Sequence, residues 1–306
     1  WAVRTAASFR WSIAIAATIP LNLALAASVS PDGFAIAAVL LAVAMWTRVE
    51  GGGDVALPAL IVSTGLLALA KPPYFLVLGL FVASALLERT AGRIRAACVA
   101  GAGLVVGLAA TLINSGDNYQ PVTTTMLRSI DYNPDLQMDH LTGDVPGFLW
   151  ATADTWVTEY RVYVQAWFRQ LGFWEADMAS VVPWAFVVIL AVSLLILDGD
   201  DMERLSGMRR TIIALGVAGL VIAMYAASFV YFTDQPDYDH IGFQMARYSV
   251  PIAVLVFIAC SPRALIWPAR RLGRRFALVG VVGVPLVAVG ASLVTWLWTG
   301  ANTELG

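Results

Sequence analysis

Apolar segments recur along this chain at about the length a helix needs to cross a membrane, and that recurrence constrains the fold more than any other feature. A helix rises about 1.5 Å per residue, so roughly 20 apolar residues cover a hydrocarbon core about 30 Å thick. Nine segments qualify: 12–27, 34–45, 55–70, 74–87, 96–113, 181–197, 211–232, 250–260 and 276–298. The second and eighth are short and are expected to extend into their flanks. Hydrocarbon offers no water to the peptide groups, so each span must satisfy them internally, as a helix does. Composition agrees: 59% of the 306 residues are hydrophobic and 13% charged, against about 25% charged in soluble domains. The expected fold is all-α, a polytopic transmembrane helix bundle of about nine spans. Residues 1–306 form a single membrane domain, read as a fragment, with an extracytoplasmic loop and amphipathic helices over 114–180.

Arginine positions orient such a bundle, because Lys and Arg favour cytoplasmic loops. Arg4 and Arg10 precede the first span, and Arg48 lies between the second and third. Arg89, Arg93 and Arg95 follow the fourth; Arg204, Arg209 and Arg210 follow the sixth; Arg263, Arg270, Arg271, Arg274 and Arg275 follow the eighth. With nine spans all five groups fall on one side, which the rule makes cytoplasmic. The other side carries 28–33, 70–73, 114–180 and 233–248, and it is acidic, with Lys71, Arg128, Arg161, Arg169 and Arg247 as its few cations. The expected location is the bacterial cytoplasmic membrane, multi-pass, with loop 114–180 outside.

Within 114–180 the first half, through Asp144-Val145-Pro146-Gly147, reads as turns and acids. The second half, 148–174, reads as one or two amphipathic helices, with Trp156, Tyr160, Tyr163 and Trp167 at helical spacing. That stripe suits the outer headgroup level or packing on the protein's own helices. Pro20 is expected to kink the first span. Gly103 with Gly107, Gly216 with Gly219, and Gly280, Gly283 and Gly290 are expected to permit close helix approach. Cys98 and Cys260 read as small apolar packing residues. His140 and His240 are far apart and form no metal cluster. There is no P-loop, nucleophile elbow, HExxH or dinucleotide fingerprint, and no basic, aromatic-interleaved run for nucleic acid. The chain opens on Trp1 without signal-peptide order and is read as beginning inside a longer protein.

Three motifs stand at span ends on the acidic side. In Ser28-Val29-Ser30-Pro31-Asp32-Gly33, Asp32 fits a helix cap as well as a binding role. In Lys71-Pro72-Pro73-Tyr74, the paired prolines hold a cation at the membrane surface, where it suits a lipid phosphate or merely snorkels. In 237–248, Arg247 and Tyr248 re-enter the bilayer together. Arg247 can grip a phosphate bidentately or serve as an anchor, and His240 suits proton transfer or a polar substrate. The spans are nearly free of charge. That weakens a transporter or channel reading, which calls for intramembrane carboxylates or gating charges.

On Pro20 through Ser28-Val29-Ser30-Pro31-Asp32, Leu69-Ala70-Lys71-Pro72-Pro73-Tyr74, Gln170-Leu171-Gly172-Phe173-Trp174 with Pro183, and Gly242-Phe243-Gln244-Met245-Ala246-Arg247-Tyr248 with Pro251, the sequence resembles the bacterial domain-of-unknown-function family 2142. These stretches occur in the family's order and cover most of the chain. Met245-Ala246 departs from it, where a glycine is expected before the Arg-Tyr pair. The family is similar to GT-C glycosyltransferases, which transfer sugar from polyprenyl-phosphate donors outside the membrane. The resemblance implies a GT-C-like fold and a substrate-binding set of Asp32, Lys71, Tyr74, His240, Gln244, Arg247 and Tyr248. Lys71 and Arg247 would hold the lipid-linked phosphate, and Asp32 would orient hydroxyls. The catalytic acid, which family members carry in a Pro-Asp-Glu motif after an initial span, is expected to be missing here. Membrane lipid, the polyprenyl-phosphate sugar and a saccharide or protein acceptor are the implied partners. No cofactor is implied, although a divalent metal is compatible with the chemistry. The alternative is a non-catalytic flippase, exporter or scaffold subunit for lipid-linked saccharides, which would use the same cations.

Overall fold

The computed structural model describes residues 1–27, 31–70, 72–117, 134–171, 176–177, 184–186, 188–189, 197–198, 205–232, 241, 248–260, 279–280, 283, 287 and 290. The described helices are α1 (Ala2–Thr5), α2 (Arg10–Ala17), α3 (Pro20–Ala27), α4 (Pro31–Glu50), α5 (Leu57–Ala68), α6 (Gly79–Leu87), α7 (Ala91–Asp117), α8 (Pro134–Gly143), α9 (Val145–Arg169), α10 (Gly207–Phe232) and α11 (Ala253–Cys260). Tight 3-10 turns at Tyr74–Leu78 and Val250–Ile252 lead into α6 and α11. The strand pairing among the described residues is one two-residue antiparallel ladder, Gln170 opposite Asp177 and Leu171 opposite Ala176. Three described helices are long and apolar enough to cross a membrane: Pro31–Glu50, Ala91–Ile113 and Gly207–Val230. Shorter apolar helices occupy Leu57–Ala68, Tyr74–Leu87 and Val250–Ala259. The expected spans 181–197 and 276–298 fall mostly outside the described residues.

The first expected span is two short helices, α2 and α3, broken ahead of Pro20. Proline has no N–H, and its ring excludes the carbonyl four residues back. Ala16 O therefore loses its helical donor, and Asn22 Nδ2 donates to it instead at 2.5 Å. Thr18 Oγ1 donates to Ala14 O and Ile15 O, each at 3.1 Å. The break survives at apolar depth because side chains restore what the proline removes.

α4 forms the centre. It is buried over most of its length, whereas α7 and α10 are largely exposed. Its residues are apolar on every side, as a helix wrapped by others requires. Short polar side chains fasten its neighbours. Trp46 Nε1 donates to Ser84 Oγ on α6 at 2.8 Å, and Ser63 Oγ on α5 donates to Met45 Sδ at 3.0 Å. α7 approaches closely through its glycines, as expected for one pair. A Cβ at Gly103 would meet Leu78 Cδ1 at 2.8 Å, and one at Gly107 would meet the Phe75 ring at 2.6 Å. Gly216 and Gly219 do not serve this purpose among the described residues. Only Leu80 comes within 3.9 Å of a Cβ at Gly216, and nothing comes near one at Gly219. Cys98 also departs from expectation: it lies exposed on α7, whose outer surface carries Val105, Val106, Leu108, Leu112 and Ile113. An apolar run in a bundle of this kind serves the hydrocarbon side of a helix as well as its packed side.

A cluster of charges ties one end of the bundle together. Glu50 ends α4, Glu88 follows α6, Arg93 lies in the first turn of α7 and Arg209 in that of α10. Arg93 pairs with Glu88 and, at 3.3 Å, with Glu50; it also donates to Glu50 O at 2.9 Å. Arg209 reaches Glu50 and Glu88 at 3.1 Å each. Arg93 is buried, so both carboxylates are needed to offset its desolvation. The Arg93 guanidinium beside Glu88, with help from Arg209, holds its carboxyl below the usual range. The N-terminal segment meets the same end: Ala7 Cβ lies 3.6 Å from where a Cβ on Gly51 would sit. The buried Asp198 carboxylate then caps α2, accepting from Ser12 N at 2.7 Å, Ser12 Oγ at 2.6 Å and Trp11 N at 3.3 Å. Two of these charge-assisted bonds satisfy orphan backbone donors of the helix start, and the third comes from the Ser12 hydroxyl.

Helix directions follow. α4 and α6 end at this cluster while α7 and α10 begin there, so their other ends gather at the opposite end of the bundle. The region 114–180 departs in part from its sequence reading. α8 occupies 134–143 where turns were expected, because Pro134 at the first position and Asp135 in the first turn start a helix. α9 is one helix that ends at Arg169 rather than continuing to 174.

Replacing Arg93 with alanine leaves Glu50 buried with Arg209 alone. We expect a loss of about 2 kcal/mol, below the roughly 3–5 for a wholly abandoned buried charge, measured by chemical unfolding in detergent. Glu88 has a lowered folded pKa, so its contribution is complete above the ordinary glutamate range near 4.5. It is lost as the pH falls through the folded value. Glu88→Gln should flatten the acid limb of the stability profile, and an unchanged limb would refute the pairing.

Candidate functional site

The end remote from the arginine cluster is built by α3, the start of α4, the Tyr74–Leu78 turn, α9 and the residues that open α11. Pro31 takes the first helical position of α4, which places Asp32 inside the first turn rather than at the cap. A carboxylate there still complements the helix dipole. Asp32 is buried and engaged by its surroundings. Its neighbour Gly33 explains how: a Cβ there would lie 2.8 Å from Leu25 O and 3.0 Å from Ala26 Cα. The last turn of α3 thus rests directly on the first turn of α4, and only glycine admits that approach.

Tyr74 is fully buried, and its hydroxyl donates to Tyr248 O at 2.7 Å. That bond joins two motifs 174 residues apart in sequence, the turn after Lys71 and the re-entry at Arg247. Tyr248 itself is half-buried against the core. α4 packs on both the Tyr74–Leu78 and Val250–Ile252 turns, and α3 packs on Val250–Ile252 and on Gln170–Leu171. Elements from all four stretches that carry the family resemblance therefore meet around α3 and α4. Asp32, Tyr74 and Tyr248 are placed at this end; Lys71, His240, Gln244 and Arg247 lie outside the described residues.

α9 covers one flank. Phe148 meets Phe229 of α10 with ring centroids 6.0 Å apart and planes tilted by 54°. Ile241 N donates to the buried Thr155 Oγ1 at 3.3 Å, which pins the connection beside His240 to this helix. Trp156 packs against the core, so for that residue the stripe serves internal packing. The Tyr160, Tyr163 and Trp167 side chains lie outside the described residues. On the far face Trp150 and Val157 are exposed.

Two polar atoms here were not singled out from the sequence. Asn22 Oδ1 on α3 and Thr152 Oγ1 on α9 are buried without a hydrogen-bond partner among the described residues, on helices that pack together. Buried unpaired acceptors are costly and mark places where a water or a ligand hydroxyl is held. Asn22, an amide inside an apolar run, was the available signal. Asp198 was also missed, since a cap supplied from 186 residues away leaves no local pattern. Among the described residues no three His, Cys, Asp or Glu side chains converge on a point.

Comparison with known proteins gives one match. The family model described as a predicted membrane protein, DUF2142, matches residues 1–256. No curated protein and no solved structure matches the chain.

Tyr74→Phe removes the hydroxyl that donates to the part-buried Tyr248 O. We expect a loss of about 1–2 kcal/mol in stability and faster proteolysis near 248. Wild-type stability and cleavage in this variant would show that the bond does not hold the two turns together.

Proposed function

The chain belongs to the DUF2142 family of membrane proteins, and from its resemblance to GT-C glycosyltransferases we propose that it serves glycosyl transfer from a polyprenyl-phosphate sugar at the outer face of the bacterial cytoplasmic membrane. In this reading residues 1–306 are one multi-pass domain of about nine spans with a GT-C-like arrangement. The arginine-rich end faces the cytoplasm, and the end bearing Asp32, Tyr74 and Tyr248 faces outward. The observation that supports the reading is the Tyr74–Tyr248 hydrogen bond, which joins a residue three positions after Lys71 to the residue that follows Arg247 in sequence.

In this reading Lys71 and Arg247 together grip a phosphate at the membrane surface. An ammonium supplies a point charge and a guanidinium a bidentate fork. During transfer the acceptor oxygen bonds to the anomeric carbon while the bond from that carbon to the phosphate oxygen breaks. The acceptor proton passes to a carboxylate acting as general base. Lys71 and Arg247 offset the charge that gathers on the departing phosphate. Asp32, His240 and Gln244 supply hydrogen bonds to sugar or acceptor hydroxyls. Tyr74 and Tyr248 fix the two turns.

The test supplies membranes holding the full-length protein with labelled polyprenyl-phosphate sugar. Lys71→Ala and Arg247→Ala should each reduce incorporation by at least about 100-fold, the scale on which removing a transition-state charge partner acts. Unchanged incorporation in both variants would remove the phosphate site. Transbilayer movement of the labelled lipid without incorporation would point to an exporter instead.

A further inference from the structure

A second cation pair stands at the opposite end of the bundle and takes no part in the proposed transfer site. A cavity of about 560 Å³ opens there between the end of α4, the start of α5 and α7; Arg48, Arg95, Asp54, Leu57 and Trp1 are on its wall. Its size falls within the range of about 300–1,000 Å³ typical of small-ligand sites. Both guanidiniums are held in place by backbone. Arg48 Nε donates to Asp54 O at 2.9 Å, and Arg95 Nη2 donates to Val55 O at 3.3 Å. A Cβ on Gly53 would lie 3.1 Å from Arg48 Cγ, so the 51–54 turn passes close to the arginine stem. Among the described residues the two terminal nitrogens of Arg48 donate to nothing.

The charge balance favours an anion. Asp54 is the one acid on the wall, 3.8 Å from Arg95, and its side chain is 99% exposed. Water therefore screens it, and it does not neutralise two arginines. α5 adds to the same field: it starts at this wall with no side-chain cap from Ala56 and with Pro58 in its first turn. The first-turn amides of Leu57 and Ala59 lack helical acceptors.

The surface leading away from the cavity is apolar. Leu57, Ile61, Val62 and Leu66 are exposed along α5 and spread over the outward half of its circumference. A soluble anion has no use for such a face; an acyl chain does. We propose that this cavity binds the phosphate of an anionic phospholipid between Arg48 and Arg95, with the acyl chains lying along the exposed face of α5.

The probes are phosphatidylglycerol, phosphatidylcholine and inorganic phosphate, each titrated onto the full chain in mild detergent with binding read by native mass spectrometry. Phosphatidylglycerol should bind saturably and phosphatidylcholine at least tenfold more weakly. Arg48→Gln and Arg95→Gln should each weaken phosphatidylglycerol about fivefold and together about 25-fold, from about 1 kcal/mol per interfacial cation. Arg89→Gln removes the same charge from the same end but off the cavity wall, and should change affinity less than twofold. The single variants carry the test if the double variant does not fold. Equal binding of the two lipids would overturn the proposal, as would an Arg89→Gln loss matching those of Arg48 and Arg95. Displacement of the lipid by equimolar phosphate would show a free-anion site and overturn the lipid assignment.

Discussion

The charge cluster of Glu50, Glu88, Arg93 and Arg209 is the contact on which the remaining geometry depends. It joins two helix ends to two helix starts, so it fixes which way α4, α6, α7 and α10 run. A buried arginine with too few acceptors is costly, and the same arginine shared between two carboxylates is tolerated. Without these carboxylates the buried Arg93 would lack the partners that offset its desolvation. Once the directions are set, the turns at Asp32, Tyr74 and Tyr248 have one end of the bundle to occupy.

At that other end, beside the buried Asp32 carboxylate, the contacts that join the elements are between neutral groups. A glycine lets α3 rest on α4, a tyrosine hydroxyl joins two distant turns, and two phenylalanines seat α9 on α10. The contrast between the ends has a physical basis. Neutral polar side chains leave room for an incoming anionic group, whereas an internally paired cluster is already satisfied. The proposed lipid site sets two cations against one solvent-screened acid. There the charge is held by backbone geometry, through main-chain carbonyls at Arg48 and Arg95.

Much of this was legible in the sequence where the signal is local or periodic. The apolar segments gave the helical class, Pro20 marked the break in the first span, and Gly103 with Gly107 marked a close approach. The family resemblance rested on four short stretches, and the family match covers residues 1–256. Other features were hidden because they depend on partners far away in sequence. Asp198 reads as a loop acid until Ser12 is set beside it. Tyr74 enters the sequence reading as a substrate-binding residue, and nothing local shows that its hydroxyl meets Tyr248 O. Cys98 and the Gly216–Gly219 pair read as packing residues because hydropathy does not distinguish a helix's lipid side from its packed side. α8 was passed over because its weakly apolar sequence has no stripe, while its start signals, Pro134 and Asp135, resemble those of a turn.

The central claim is that the arginine end and the motif end face opposite sides of a membrane, with the motifs outside. Gly92 at the start of α7 and Gly143 at the end of α8 both offer open space to a new side chain. Each would be changed to cysteine in a chain whose Cys98 and Cys260 are replaced by alanine, and intact cells would be treated with a membrane-impermeant maleimide. The account predicts that Gly143→Cys labels at once and Gly92→Cys labels only after the cells are permeabilised. Labelling of both positions in intact cells, or of Gly92→Cys alone, would contradict it.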